Sequence, residues 1–371
     1  MSNTELFRLA ASSILDKHRR EAVTRLLWVA DENTDIDETY QCLAQLNSCD
    51  TYSVSNRIDI RDALESVSAA SLSDFDITTL SSQPFSNCVY RVSKERKLVH
   101  YVLFCAANGL EQGGELLLFG KKNEGIKTYF DLCRKKLGFE GSIKKHGENY
   151  LCELQKVAAP TETESKLKAY TEVKHFEFGG QGFYSKPGVY GWNKQDQGSA
   201  FLIEQLETLA PELGNVESIL DLGCGYGYLS VFATKLLKPK TLWATDNNIT
   251  AVTQCKANLQ KLLDNTGNND SPVDFKTSDF KASTDDCAKS VQGAFDLILC
   301  NPPFHQGFSN DFNLTEKFIR SAKNKLSKDG TALFVFNAFV PAEKIAQRLF
   351  TKVCLLANNK QFKVYLFANK T

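Results

Sequence analysis

No apolar run in this chain of 371 residues approaches the roughly 18–20 residues that span a bilayer, which argues against a helical integral membrane protein. The amino terminus, MSNTELFRLAASSILDKHRR, lacks a basic leader followed by an apolar block. A secretory signal is therefore not read, and a cytoplasmic location is expected. Net charge is missing too, since 44 Lys and Arg meet 44 Asp and Glu. The eleven cysteines include no C-x-x-C pair and mostly lie in apolar segments. A disulfide framework or a structural zinc site needs tighter clustering, so they read as reduced core residues. The five histidines lack H-x-x-x-H spacing, and no metal is expected. Hydrophobic residues at 42% and charged residues at 24% are ordinary for a globular protein and exclude a largely disordered chain. The length predicts two domains.

The balanced charge is unevenly spread. Residues 1–50 carry 5 basic and 9 acidic side chains, whereas residues 301–371 carry 11 basic and 4 acidic. Residues 121–146 hold eight Lys and Arg against three acids. Two basic zones of this kind suit a polyanion, and equally suit solvated helix faces.

Within the first 157 residues, Leu26–Ala30, Leu98–Cys105 and Glu115–Phe119 read as buried strands, and Ile126–Leu137 has helical spacing. The polar, Pro- and Glu-containing stretch within 158–177 reads as a linker. From 178 onward a Gly- and aromatic-rich segment leads into a helix, and then strands and helices alternate. Strands are expected at Ser218–Leu222, Thr241–Thr245, Val273–Thr277, Phe295–Cys300 and Thr331–Phe336, with a closing hairpin of Val353–Leu356 and Phe362–Phe367. Alternation of this sort predicts an α/β fold whose second domain, 178–371, is a Rossmann-like, doubly wound, mainly parallel sheet ending in an antiparallel hairpin.

The strand ends carry the chemistry. Asp221-Leu222-Gly223-Cys224-Gly225-Tyr226-Gly227 follows a strand and opens a helix. Glycines there bring backbone close to a ligand. The spacing is G-x-G-x-G, unlike the G-x-G-x-x-G of dinucleotide sites, and Asp221 would repel a pyrophosphate. A carboxylate at that place suits a cationic ligand bearing an amino group and a sulfonium. Asp246, with Asn247 beside it, ends the next strand where a carboxylate can take both hydroxyls of a ribose. Asp279-Phe280 is expected to end the third strand and to meet an adenine. Asn301-Pro302-Pro303-Phe304 follows the fourth strand. The prolines fix the backbone and remove donors, so the Asn301 side-chain oxygen and the Pro302 carbonyl can both accept from one amino group. Phe304 offers a flat face for a base.

These motifs, in this order, resemble class I S-adenosylmethionine-dependent methyltransferases. NPPFH, the PGVY…DQGS segment and the closing FKVY strand make the chain most similar to the bacterial RsmC family, the 16S ribosomal RNA guanine-N2 methyltransferases. The resemblance implies that S-adenosyl-L-methionine binds at Asp221, Gly223, Gly225, Gly227, Asp246, Asn247, Asp279 and Phe280. It implies that Asn301, Pro302, Pro303 and Phe304 catalyse, and that Phe304, His305, Tyr190 and Asp196 hold the substrate. The acceptor implied is the guanosine at position 1207, in 16S ribosomal RNA or the small ribosomal subunit, with neither metal nor membrane involved. LLLFGKKNEGIK in 1–157 is similar to the family's inactive methyltransferase-like amino-terminal domain, for which RNA docking is expected. The stretch 280–294 looks like an insertion relative to the family, and Trp192-Asn193-Lys194-Gln195 departs from its usual small polar residues. Other amino acceptors remain open at this level: N2 of a 23S ribosomal RNA guanosine, adenine N6 in RNA or DNA, or a protein glutamine. A nicotinamide-dependent oxidoreductase fits the glycine spacing poorly.

Overall fold

The structure, a computed structural model, describes residues 3–21, 23–77, 79–161, 165–266, 279–303, 305–306, 309–310 and 312–369. The chain divides into two compact units, Met1–Glu172 and Val173–Thr371.

The first unit runs α1 (Asn3–Glu21), β1 (Arg25–Val29), α2 (Ile36–Ala44), β2 (Asp50–Ser55), α3 (Ile58–Leu64), β3 (Ala69–Leu72), β4 (Phe85–Arg91), α4 (Arg96–Gly109), β5 (Leu110–Lys121), α5 (Ile126–Lys136), β6 (Phe139–His146), β7 (Asn149–Lys156) and α6 (Ser165–Thr171). Its seven-stranded sheet has the order β3-β2-β1-β4-β5-β7-β6. The first five strands are parallel, and β7 and β6 are antiparallel.

Two readings of this half are corrected. Leu98–Cys105 lies inside helix α4, not in a strand. LVHYVLFC is rich in β-branched and aromatic residues, but burial at Leu98, Val99, Val102, Leu103, Cys105 and Ala106 follows the three-to-four spacing of a helix face. The stretch 158–177, read as a linker, contains α6. Tyr170 of α6 is fully buried. Its hydroxyl donates to Asp74 at 2.5 Å and its ring stacks on Tyr101 at 4.9 Å. A polar composition hid one aromatic anchor.

The second unit runs β8 (Lys174–Phe178), β9 (Gln181–Ser185), α7 (Gln197–Leu209), β10 (Ser218–Leu222), α8 (Tyr228–Leu237), β11 (Thr241–Asp246), α9 (Ile249–Thr266), β12 (Asp279–Thr284), β13 (Phe295–Cys300), β14 (His305–Gln306), β15 (Ser309–Asn310), α10 (Phe312–Lys325), β16 (Leu326–Asn337), α11 (Ala342–Ala346), β17 (Lys352–Asn358) and β18 (Phe362–Ala368). The main sheet has the order β12-β11-β10-β13-β16-β18-β17, the same succession as in the first unit. The five strands from β12 to β16 are parallel, and β18 and β17 close the sheet antiparallel.

Strands covered on both faces read as near-continuous apolar runs, as in Phe295–Cys300. Ile219, Leu297, Leu299, Leu333 and Val335 enter one core cluster. Their alternate neighbours Leu220, Leu222, Ile298, Cys300 and Phe334 enter another on the opposite face. Chain order reverses between β10 and β13, which lie side by side. In an open parallel sheet, ligands bind beyond the carboxyl ends of the strands at this switch point.

The third strand of this unit also differs from expectation. Val273–Thr277 lies outside the described residues, and β12 begins where the sequence reading had it end. Thr241 pairs with Asp279 and Asp246 with Thr284. Asp279 therefore stands at the amino edge, about 17 Å along the strand from the Asp246 edge at roughly 3.3 Å per residue.

Candidate active site

The carboxyl ends of β10, β11, β12 and β13 share one edge. After β10 the chain turns through Gly223, Gly225 and Gly227 into α8. Thr245 at the end of β11 holds the turn, its carbonyl accepting from the N–H of Gly223 at 2.8 Å and of Cys224 at 2.9 Å. Gly227 has φ +91°, and a Cβ there would stand 2.9 Å from the Cys255 Sγ. Only glycine lets α8 start this close to α9.

Asp246 fastens the same turn from below. Its carboxylate accepts from the Gly225 N–H at 3.0 Å and from the Asn248 N–H at 2.9 Å. Asn248 in turn accepts from Thr250 N–H at 2.9 Å, at the start of α9, and donates to the Gly188 carbonyl at 2.8 Å. Asp246 and Asn247 are half-buried at the strand end, so the Asp246 oxygens sit at the rim rather than in the core.

Asp221 is fully buried. One carboxylate oxygen accepts from the Ser230 N–H at 3.0 Å and its hydroxyl at 2.6 Å, which ties β10 to the first turn of α8. The other oxygen has no hydrogen-bond partner. Burial first, and the nearby Asp246 charge second, push its carboxyl up to about 7. A cation beside it would hold it ionised, as expected for a group whose charged form lacks solvent. The turn, the open Asp221 oxygen and the rim position of Asp246 together fit a ligand with a cationic end and a ribose.

Beyond β13, Asn301 is held by an element far away in sequence. Its amide nitrogen donates to Asp196 Oδ2 at 2.5 Å and to Ser199 Oγ at 3.0 Å. Asp196 caps the amino end of α7, accepting from Ser199 N–H at 2.7 Å. With its nitrogen committed to α7, the Asn301 amide presents its oxygen elsewhere as an acceptor. Gly198 permits the approach, because a Cβ there would stand 3.3 Å from both Asn301 Nδ2 and the Phe362 ring. Pro302 and Pro303 continue the chain.

The structure thus gathers Asp221, Gly223, Gly225, Gly227, Asp246, Asn247, Asn301, Pro302 and Pro303 at one edge. It does not bring Asp279 there, and Phe280 packs half-buried beside the core. Asp285, directly after β12, stands there instead. Its N–H donates to the Asp246 carbonyl at 2.8 Å, and its carboxylate accepts from Lys289 N–H at 2.6 Å and Ser290 N–H at 2.8 Å. The stretch 280–294 comprises most of β12 and the turn-containing connection to β13. Phe304 lies outside the described residues, and His305 opens β14. Tyr190 rides on the segment before α7, 82% exposed. Asp196 is engaged by α7 and Asn301. Ser199, Asn248 and Asp285 went unread. The D-x-x-S spacing of an amino-terminal cap was the signal available for Ser199.

An open groove of about 560 Å³ lies between Cys287–Lys289 and α10. Its cations are largely paired, Lys289 and Lys317 with Asp286 and Arg320 with Glu316. No group of His, Cys, Asp and Glu suited to a metal occurs among the described residues. No described helix is long and apolar enough to cross a membrane.

Residues 180–366 match the methyltransferase small domain. The chain belongs to that family. Residues 12–171 of this methyltransferase match the amino-terminal domain that accompanies the small domain. Over 77% of its length it is 27% identical to ribosomal RNA small subunit methyltransferase C of Shewanella loihica, covering 78% of that protein. The corresponding protein of Pasteurella multocida is 26% identical over 80% of this chain and 84% of its own. The solved structure of the T. thermophilus 16S rRNA N2 G1207 methyltransferase RsmC, in complex with AdoMet and guanosine, superposes with a TM-score of 0.78. That match covers 99% of this chain and 92% of the other at 21% identity, and it shows a common two-domain fold. The RsmC resemblance read from the motifs holds.

Proposed function

We propose that the methyltransferase transfers a methyl group from S-adenosylmethionine to the N2 amino group of a guanosine in 16S ribosomal RNA, at position 1207 by resemblance to its relatives. The observation that carries this is the Asn301 amide, fixed by Asp196 and Ser199 with its oxygen left to accept, at the same sheet edge as the glycine turn and Asp246.

Bound S-adenosylmethionine supplies an electrophilic methyl group. The remaining work falls to the chain. Asp246 takes the ribose hydroxyls at the rim, and the open oxygen of Asp221 lies beneath the turn as counter-charge for a cation. Phe280 and Asp279 are not part of this assignment, and the end of β12 at Thr284-Asp285 takes their place. An exocyclic amine on a base is a poor nucleophile, because its lone pair is delocalised into the ring. Acceptance of its hydrogens by the Asn301 oxygen and the Pro302 carbonyl localises that lone pair as the nitrogen becomes tetrahedral. Such acceptors act more strongly as charge develops than in the ground state. Phe304 remains the proposed stacking face, at about 1–3 kcal/mol for a base on an aromatic ring. N2 of a paired guanine lies in the minor groove, so the base is swung out for in-line attack. Orientation supplies much of the rate, and no strong general base is required. His305 and Tyr190 are assigned to RNA contact.

Residues 1–157 are proposed to dock RNA without chemistry. Their cations at 121–146 supply salt-dependent, sequence-independent affinity. The decisive experiment incubates the enzyme with labelled S-adenosylmethionine and small subunits lacking the modification, then digests to nucleosides. Label in N2-methylguanosine is expected. Label in N6-methyladenosine, or only in protein, overturns the assignment.

A further inference from the structure

Only two aromatic side chains among the described residues are more than half exposed, Tyr190 at 82% and Phe339 at 65%. Single exposed apolar residues are ordinary on a protein surface. The placement of Phe339 is not. β16 runs past its pairing of Phe334 with Cys300 to Asn337, alongside the Asn301 loop. Asn337 pairs with Phe362, the ring that with Asn301 Nδ2 closes in on Gly198. Phe339 follows two residues later, on the rim beside the reacting-group site.

The turn that bears it is fixed on both sides. Val340 N–H donates to the Asn337 carbonyl at 2.9 Å, and Ala338 N–H donates to the Gln361 carbonyl at 2.8 Å. Val340 is buried. The backbone is therefore ordered before any partner arrives, and presenting the ring carries little additional entropic cost. Lys360 and Lys363 stand in and beside the adjoining hairpin turn, where Gln361 holds Ala338. An aromatic face next to cations is the pairing that binds single-stranded nucleic acid, by base stacking together with phosphate attraction.

We propose that Phe339 stacks on the RNA base next to the nucleotide that is methylated. The inference rests on the RNA-methylating function proposed above. Extruding one base uncovers a face of its neighbour. An aromatic ring on this ordered turn at the rim, outside the acceptor pair of Asn301 and Pro302, replaces the lost stack. Every base has such a face, so the contact adds affinity with little sequence preference.

The test uses full-length Phe339→Ala and Phe339→Trp on small subunits lacking the modification. The alanine variant is expected to raise KM for the subunit by about tenfold, with kcat within twofold and cofactor affinity unchanged. The tryptophan variant is expected to restore KM, which a merely structural role would not do. An unchanged KM for Phe339→Ala, an equal rise in both variants, or a fall in kcat alone overturns the inference. If wild-type enzyme labels the subunit RNA and Phe339→Ala behaves like it, the inference alone fails. If wild-type enzyme labels no RNA, the functional reading fails and the inference falls with it.

Discussion

Removing the Asp196 carboxylate should slow methyl transfer without loosening either substrate. Asp196→Ala deletes two interactions of one oxygen: the cap on α7 at 2.7 Å and the acceptor for Asn301 at 2.5 Å. The cap is worth about 1 kcal/mol. That is a small part of a typical stability of about 5–15 kcal/mol, so the variant folds. The Asn301 contact is a hydrogen bond to a charged group, of about 1.5–3 kcal/mol. It sets which way the amide points, since nitrogen and oxygen exchange places by a half turn. Ser199 Oγ at 3.0 Å remains and retains part of the preference. A loss of roughly 1.4–2.7 kcal/mol in transition-state stabilisation corresponds to a fall in kcat of about 10- to 100-fold. KM and the calorimetric cofactor affinity should stay within about threefold, the pattern of an interaction used in the transition state. Asp196→Asn keeps an oxygen for both donors and should recover most of the rate. Adding Asp196→Ala to Asn301→Ala should cost little more than Asn301→Ala alone. A wild-type kcat in Asp196→Ala refutes the argument that this carboxylate orients Asn301.

Three further outcomes are expected. Asn301→Ala should abolish turnover while leaving cofactor affinity within a few fold, measured by nucleoside label and calorimetry. Asp246→Ala should weaken S-adenosylmethionine by about 2–3 kcal/mol, and should also lower the denaturant midpoint because Gly225 and Asn248 lose their acceptor. In the absence of ligand, stability should fall as pH rises from about 4 to 7. Burial raises the carboxyls of Asp31 to about 6 and Asp221 to about 7, so the folded chain holds protons that the unfolded chain releases near 4. Urea midpoints at pH 5 and 8 check this, and Asp221→Asn should flatten the slope.

What could be read from sequence was local. The glycine turn, Asp246 and Asn-Pro-Pro each occupy a few consecutive residues, and each lies where a strand ends. Strand and helix patterns placed β10, β11, β13 and β18 within a residue or two. Leu98–Cys105 failed because composition and periodicity disagreed there, and the helix-face burial won. Asp279 failed because one strand was placed several residues early, which moved a site residue to the far edge. The Asp196–Asn301 bond spans 105 residues. No spacing rule reaches that far, so Asp196 read as a contact for substrate rather than for Asn301.

The two units share one strand succession, and the contrast between them shows what makes this edge a site. By register, Phe119 faces Arg91 across β5 and β4 as Phe334 faces Cys300 across β16 and β13. Five residues beyond Phe119 stands Glu124, and five beyond Phe334 stands Phe339. In the first unit Glu124 pairs with Arg91 at 2.9 Å, both side chains at most 2% exposed. Glu124 also accepts from Lys121 N–H at 2.8 Å, and Arg91 donates to the Val92 carbonyl at 2.6 Å. These contacts knit together the strand ends that in the second unit carry Asn301 and Phe339. The turn after β1 reads Ala30-Asp31-Glu32, without glycine, and Asp31 lies buried there within reach of the Arg91 charge. A paired and desolvated ion network of this kind costs several kcal/mol to break by removing one partner. At these strand ends the first unit thus places a buried ion pair where the second unit places Asn301, and its turn after β1 has no glycine. This supports confining methyl transfer to the second unit. Loss of Arg91 should therefore lower the stability of the first unit, and should give it no methyltransferase activity.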